Sequence, residues 1–296
     1  MTGAGPRPAP AGEARRLLAV LAHPDDESFG PGGTLALYAY RGVEVHLACA
    51  TRGEVGTVSE ELLHGYADIG TLREHELRCA AGHLRLTGVH FLGYRDSGMP
   101  GSPDNQHPRA LAATPLDDVA AQVTQLIRRL RPQVVITFDP IGGYRHPDHI
   151  AIQRGTQAAF EASGDASRCP GDLPPYRPQK LYFHTFGRRF LRLAVRVMPL
   201  IGQDPRRFGR NRDIDITEIA SQDFPLHAFI RFNEVAEAKA RAAACHASQG
   251  GPPTSGILSW LFRLAGGEET FMRAYPPAPP GLRETDLFEG VDPEAT

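Results

Sequence analysis

Residues 17–27 read Leu17-Leu18-Ala19-Val20-Leu21-Ala22-His23-Pro24-Asp25-Asp26-Glu27, an apolar run that breaks abruptly into an imidazole and carboxylates. A short apolar run without polar alternation suits a strand buried on both faces, and such strands belong to parallel sheets covered by helices. Outward from it, strand-like and helix-like stretches alternate. Residues 34–40 suit a helix ended by Gly42, 43–49 alternate as a second strand, 72–84 suit a helix and 89–93 a third strand. The clearest helix is 115–130, with Thr114 as N-cap, Pro115 at the first helical position, and Asp117 and Asp118 at the positive end of the dipole. Leu116, Val119, Ala120, Val123, Leu126, Ile127 and Leu130 form its single apolar stripe. Arg131-Pro132 stops it before a strand at 134–138, and a helix at 149–162 and a strand at 181–185 follow. This order predicts a Rossmann-like α/β fold, a three-layer α/β/α arrangement with a mostly parallel sheet.

The 296 residues suit one or two domains. Residues 1–13, rich in Pro, Gly and Ala, read as a flexible tail, and 14–296 as one domain with a less regular final third from about 187. The net charge of −2 gives no bulk field for nucleic acid or an anionic membrane, so neither is expected as a partner. No apolar run reaches the roughly 18 residues of a membrane span. The run at 17–22 is too short for a signal peptide and has no cleavage pattern, so a cytoplasmic location is expected. Cys49, Cys79, Cys169 and Cys245 form no close pair, which suggests neither a disulfide framework nor a cysteine zinc site. Residues 187–212 hold eight arginines among apolar residues and read as a solvated helix and loop; the sharper alternatives are a basic lid or a membrane-surface helix. Residues 233–249 read as an Ala-rich helix, Gly250-Gly251-Pro252-Pro253 opens a loop-rich stretch, and 276–296 read as a poorly ordered tail or a surface wrap.

In open parallel α/β sheets, ligands bind beyond the carboxyl ends of the strands. Two polar clusters fall there: His23 to Glu27, and Asp139-Pro140-Ile141-Gly142-Gly143-Tyr144-Arg145-His146-Pro147-Asp148-His149. A hydrolytic zinc site takes three nitrogen or oxygen ligands and leaves a fourth position open, lowering the pKa of bound water to roughly 7. It also needs a carboxylate to take the proton and a donor to face the oxyanion. Each cluster offers a pair of suitable groups, and residue types alone leave open which member does which job. Either motif alone reads better as a helix-capping turn. Two together, at the ends of buried strands, gather carboxylates that would repel one another without a cation. Gly30-Pro31-Gly32-Gly33 does not follow its strand directly and lacks the GxGxxG pattern, so no dinucleotide site is expected.

Taken together, Ala22-His23-Pro24-Asp25-Asp26-Glu27 and Gly143-Tyr144-Arg145-His146-Pro147-Asp148-His149 resemble the LmbE/PIG-L family of zinc-dependent N-acetylglucosaminyl deacetylases. The likeness spans residues 15–165, with a weaker echo from Lys239 to His246-Ala247-Ser248-Gln249. It implies metal ligands His23, Asp26 and His149, a general base at Asp25, a stabiliser of the tetrahedral intermediate at His146, and a carbonyl-polarising Tyr144. Asp148 would stand behind them, orienting His146 or a ligand. Arg73, Asp96 and Glu54 match substrate contacts, while Arg145 stands where the family often has Gly and would add positive charge beside the substrate.

The resemblance implies a metal-dependent N-deacetylase acting on an N-acetylglucosamine-containing small molecule. A thiol-cofactor precursor, N-acetylglucosaminyl malate or inositol, is the first choice, by likeness to mycothiol and bacillithiol enzymes. Alternatives are a thiol-conjugate amidase, an antibiotic or lipid-linked amino-sugar deacetylase, and a non-catalytic sugar-binding protein on the same scaffold. The same ligands also satisfy a two-His-one-carboxylate Fe2+ site. A homo-oligomer stays open.

Overall fold

In the computed structural model, which describes residues 14–169, 171–185, 188–207, 215–250 and 267–292, the apolar run at 17–22 lies at the heart of a seven-stranded sheet. Its strands are β1 (Arg16–Leu21), β2 (Glu44–Cys49), β3 (Gly88–Phe91), β4 (Val134–Phe138), β5 (Lys180–Thr185), β6 (Ala228–Arg231) and β7 (Glu268–Tyr275). Their order is β3-β2-β1-β4-β5-β7-β6. The first five neighbours pair in parallel, and β7 pairs antiparallel with both β5 and β6. The helices are α1 (Asp26–Phe29), α2 (Gly32–Tyr40), α3 (Glu60–Leu63), α4 (Ile69–Leu84) and α5 (Leu116–Leu130), followed by α6 (Gly142–Arg145), α7 (Pro147–Ala162), α8 (Arg188–Val197), α9 (Ile216–Ser221) and α10 (Ala236–Cys245). Helices α2, α4 and α10 pack together on one side of the sheet, and α5 packs against α7 on the other. The three-layer, mostly parallel architecture is the one expected from the alternation of elements.

Both faces of β1 and β4 are covered, which is why their sequences are continuously apolar. Each fully buried leucine of β1 contributes about 1.5–3 kcal/mol of transfer free energy. The consequence for function is positional. Leu17 lies opposite Val134 and Ala19 opposite Ile136, so the two strands run side by side and end together. They flank the point where strand order reverses, the usual ligand-binding crevice of such sheets.

Several local expectations need correction. Pro115, not Thr114, is the N-cap of α5, and the Thr114 hydroxyl is already committed to the Ala110 carbonyl at 2.9 Å. Glu268–Tyr275 forms β7, a strand the sequence reading left inside a loop-rich stretch. Residues 276–292 are more than a tail: Leu287 and Phe288 are buried, the latter ring against Tyr38. The 233–249 helix is α10 flanked by two short 3-10 turns, Asn233–Val235 and Ala247–Gln249. Part of the 187–212 segment and residues 1–13 lie outside the described residues.

The cysteines hold the largest correction. Cys79 on α4 and Cys245 at the end of α10 are joined as a disulfide across 166 residues. Spacing in sequence could not signal this pair, because only the packing of α4 on α10 brings the two together. Among the described residues no helix is long and apolar enough to cross a membrane. Replacing both cysteines by serine should lower stability by about 2–5 kcal/mol in denaturant titrations run without reductant, as expected for removing a cross-link over a long loop. An unchanged unfolding midpoint would contradict the bridge.

Candidate active site

Each cluster is shaped by its own backbone. Beyond β1, the His23 N–H donates to Asp26 Oδ2 at 2.8 Å, folding that carboxylate back beside the histidine that precedes it. Asp25 sits between them at φ 125°, a conformation L residues rarely adopt. Beyond β4, Asp139 turns its carboxylate onto its own loop and accepts from the N–H groups of Ile141 at 3.1 Å and Gly143 at 2.9 Å. Burial pushes the Asp139 carboxyl up to about 6 despite these donors. Asp139 therefore organises the loop rather than joining the cluster. The chain then kinks through Gly143 and Tyr144 and enters α7 with His146 as N-cap.

The loops meet through two imidazoles and one carboxylate. His23 Nδ1 lies 3.2 Å from His149 Nε2, and the Asp26 carboxylate reaches the first at 3.6 Å and the second at 3.3 Å. The other nitrogen of each ring fixes what these atoms are. His149 Nδ1 donates to the Gly142 carbonyl at 3.2 Å, and its ring stacks on Phe138 with centroids 3.9 Å apart. His23 Nε2 donates to Asp148 Oδ2 at 3.1 Å. In the neutral rings, both facing nitrogens then carry lone pairs. With His23 neutral, two lone pairs and a carboxylate converge, an arrangement that a metal ion or a proton on His23 relieves. Ligands about 2.1 Å from a tetrahedral ion are spaced about 3.4 Å apart; the two imidazole nitrogens meet that spacing, while Asp26 reaches His23 with Oδ2 and His149 with Oδ1, so the donor set fits a zinc-sized ion by chemistry.

Further polar groups surround this point, and a ligand nitrogen of His146 lies within 4.8 Å of those of His23 and His149. His146 Nδ1 accepts from the Asp148 N–H at 3.2 Å, which leaves Nε2–H as a donor. Burial, together with the charge on His23, holds the His146 ring well below the usual imidazole range. Asp148 thus serves both histidines, its side chain meeting His23 and its backbone meeting His146. Its own carboxylate is held by the N–H of Ser97 at 2.9 Å and by the Ser97 hydroxyl. Asp96, next to that serine, comes within 3.5 Å of His23 Nε2. Burial works against the Asp96 charge, but His23 and the Gly98 N–H hold its carboxyl below the usual range. Glu54 accepts from the Asp96 N–H at 3.2 Å.

Arg73 is buried on α4 and donates to the carbonyls of Pro24 at 2.6 Å and Gly53 at 3.0 Å, and to Asp25 Oδ2 at 3.1 Å. A side chain at Gly53 would collide with it: a Cβ there would lie 2.1 Å from the guanidinium, and φ is +67°. Burial pushes the Asp25 carboxyl up to about 7 against the pull of Arg73. Tyr144 packs edge-on against His149 with ring centroids 4.9 Å apart, and burial with the nearby Asp26 and Asp25 charges holds its hydroxyl protonated. Arg145 is exposed and pairs with Glu218 of α9 at 3.5 Å. Sequence reasoning missed Ser97, although it stands in the stretch singled out for Asp96. It also missed Glu27, a fully buried carboxylate paired with His246.

The comparisons agree with this chemistry. Residues 18–160 match the PIG-L family model, described as GlcNAc-PI de-N-acetylase. A curated relative from Thermobispora bispora, named 1D-myo-inositol 2-acetamido-2-deoxy-alpha-D-glucopyranoside deacetylase, is 36% identical, covering 94% of this chain and 99% of its own. Among solved structures, the N,N'-diacetylchitobiose deacetylase of Pyrococcus horikoshii superposes with a TM-score of 0.57 at 21% identity, over 95% of this chain and 88% of its own. A 4-carboxy-2-hydroxymuconate hydratase, GalB from Pseudomonas putida, has the same TM-score of 0.57 at 18% identity, over 90% of this chain and 99% of its own. Likeness at that level shows the fold alone, since one scaffold hosts different reactions. The curated relative is closer and is matched nearly end to end, and on that footing the chain belongs to the PIG-L family.

Proposed function

We propose that the protein is a zinc-dependent hydrolase that removes the acetyl group from an N-acetylglucosamine-containing small molecule, with the inositol-linked precursor of a thiol cofactor as its substrate. The observation that carries the reaction class is the approach of His23 Nδ1, the Asp26 carboxylate and His149 Nε2 within 3.2–3.6 Å of one another, with Asp25 adjoining. The substrate choice follows the name of the Thermobispora bispora relative. A water-soluble substrate suits a cytoplasmic enzyme.

In this reading His23, Asp26 and His149 hold the ion, which supplies Lewis-acid polarisation and eases ionisation of water near neutral pH. Asp25 takes the proton of the attacking water and later returns it to the departing amine. His146, neutral and with Nε2–H free to donate, faces the developing oxyanion together with the Tyr144 hydroxyl. Asp148 and Ser97 keep His23 in the tautomer that offers Nδ1. Asp96 and Glu54 address sugar hydroxyls. Arg73 first steadies Asp25 and the Pro24 carbonyl and meets the sugar only secondarily. Arg145 is left for the group attached to the sugar.

Asp25→Ala should retain zinc and lose turnover by about 10²–10⁴-fold, the range of general-base catalysis. His149→Ala should lose both activity and zinc, with atomic absorption on the purified variants separating the two cases. Wild-type turnover in Asp25→Ala would remove the base from the scheme. For the substrate, acetate release from 1D-myo-inositol 2-acetamido-2-deoxy-α-D-glucopyranoside should exceed that from N-acetylglucosaminyl malate, free N-acetylglucosamine or chito-oligosaccharides. No acetate from any amino sugar by zinc-loaded protein would overturn the reading. Parallel reconstitution with Fe2+ under anaerobic conditions decides the metal.

A further inference from the structure

The motif at His246-Ala247-Ser248-Gln249 has no part in the scheme above, yet it reaches the loop that carries Asp25. Glu27 has no exposed surface, and its two carboxylate oxygens are divided between the two regions. Oε2 accepts from the Asp25 N–H at 3.0 Å. Oε1 accepts from the Ser28 hydroxyl at 2.6 Å and bonds His246 Nε2 at 2.7 Å. His246 is itself fully buried, its ring meets Phe29 edge-on, and among the described residues its Nδ1 has no hydrogen-bond partner. Among the described residues, Glu27 is therefore its side-chain hydrogen-bond partner.

The turn that carries His246 is pinned from the other side. Ser248 donates through its N–H at 2.8 Å and its hydroxyl at 2.6 Å to Glu76 on α4. The Cys79–Cys245 bridge ties the preceding residue to the same helix. Helix α4 also carries Arg73, which grips the Asp25 carboxylate. One rigid assembly thus holds Asp25 twice, by its side chain through Arg73 and by its backbone through Glu27.

The backbone hold matters because Asp25 is at φ 125°, which a non-glycine residue keeps only when its surroundings impose it. We infer that His246 is a positioning residue for the hydrolysis: by anchoring Glu27 it fixes the Asp25 backbone in its strained conformation and so sets where the proton-accepting carboxylate points. Without His246, the buried Glu27 carboxylate loses a hydrogen-bond donor on Oε1 and is free to rotate, and the Asp25 N–H then loses its acceptor.

This inference rests on the deacetylase reading for its kinetic arm only. The test compares wild type, His246→Leu and His246→Gln as zinc-loaded full-length proteins, by kcat and KM for acetate release, zinc content, and amide hydrogen exchange. His246→Leu should lower kcat by about 10- to 100-fold, the scale of a small misplacement of a reacting group, with KM and zinc content little changed. His246→Gln, whose side-chain N–H can still reach Glu27, should recover most of that loss. The Asp25 amide should exchange faster in His246→Leu while the amides of β1 stay protected. Wild-type kcat with unchanged Asp25 exchange in His246→Leu would overturn the inference, as would equal loss in both variants in proportion to lost zinc. If His246→Leu does not fold, His246→Asn, a polar side chain too short to take over the bond from Nε2 to Glu27 Oε1, replaces it, with the same kcat and exchange pattern expected; wild-type values there overturn the inference equally. If the wild type releases no acetate at all, the deacetylase reading fails, and the exchange arm still decides whether His246 holds Asp25.

Discussion

The site depends on an electrostatic conflict that the fold creates where two imidazoles and a carboxylate converge. His23 Nδ1 and His149 Nε2 face each other at 3.2 Å, and in the neutral rings each presents a lone pair because its other nitrogen is spent on a hydrogen bond. The Asp26 carboxylate joins them, and Asp96 and Asp148 add further negative charge around His23. Although burial by itself would lower the His23 pKa, those carboxylates raise it well above the usual imidazole value. A proton can ease that conflict only in part. A divalent cation answers it fully, because it accepts all three donors at once.

Much of the remaining chain is arranged to keep the conflict in place. Asp148 and Ser97 hold one histidine, Gly142 and Phe138 the other, and Asp139 shapes the loop that carries the Gly142 carbonyl. These are short, buried, mutually satisfied contacts, so the ligand orientation is set before anything binds. The same principle extends to Asp25, held by Arg73 and Glu27 in a conformation it would not choose unaided. Preorganisation of this kind costs stability locally, and the apolar core around β1 and β4 together with the α4–α10 bridge offsets it.

The reading of sequence was most successful where a local pattern has only one physical outcome. Leu17 to Ala22, a short continuous apolar run, read as a strand buried on both faces, and β1 is that strand. The stripe in 115–130 likewise fixed a helix, though not its cap, because capping depends on whether the Thr114 hydroxyl has a better offer. Where pattern was weak, reading failed. Glu268–Tyr275 forms an internal strand between β5 and β6, yet its sequence lacks polar–apolar alternation, and only pairing with its neighbours makes it a strand.

For the site, the sequence by itself determined the inventory: two motifs at the ends of two strands, with imidazoles and carboxylates in numbers that call for a cation. That much is local, since residue type and spacing decide what chemistry a loop can offer. Tertiary structure alone decided the pairings: His23 with Asp148, Arg73 with Asp25, Glu27 with His246, and Cys79 with Cys245. Each joins residues far apart in the chain, and such contacts exist only once parallel strands align and helices pack, so no reading along the chain contains them.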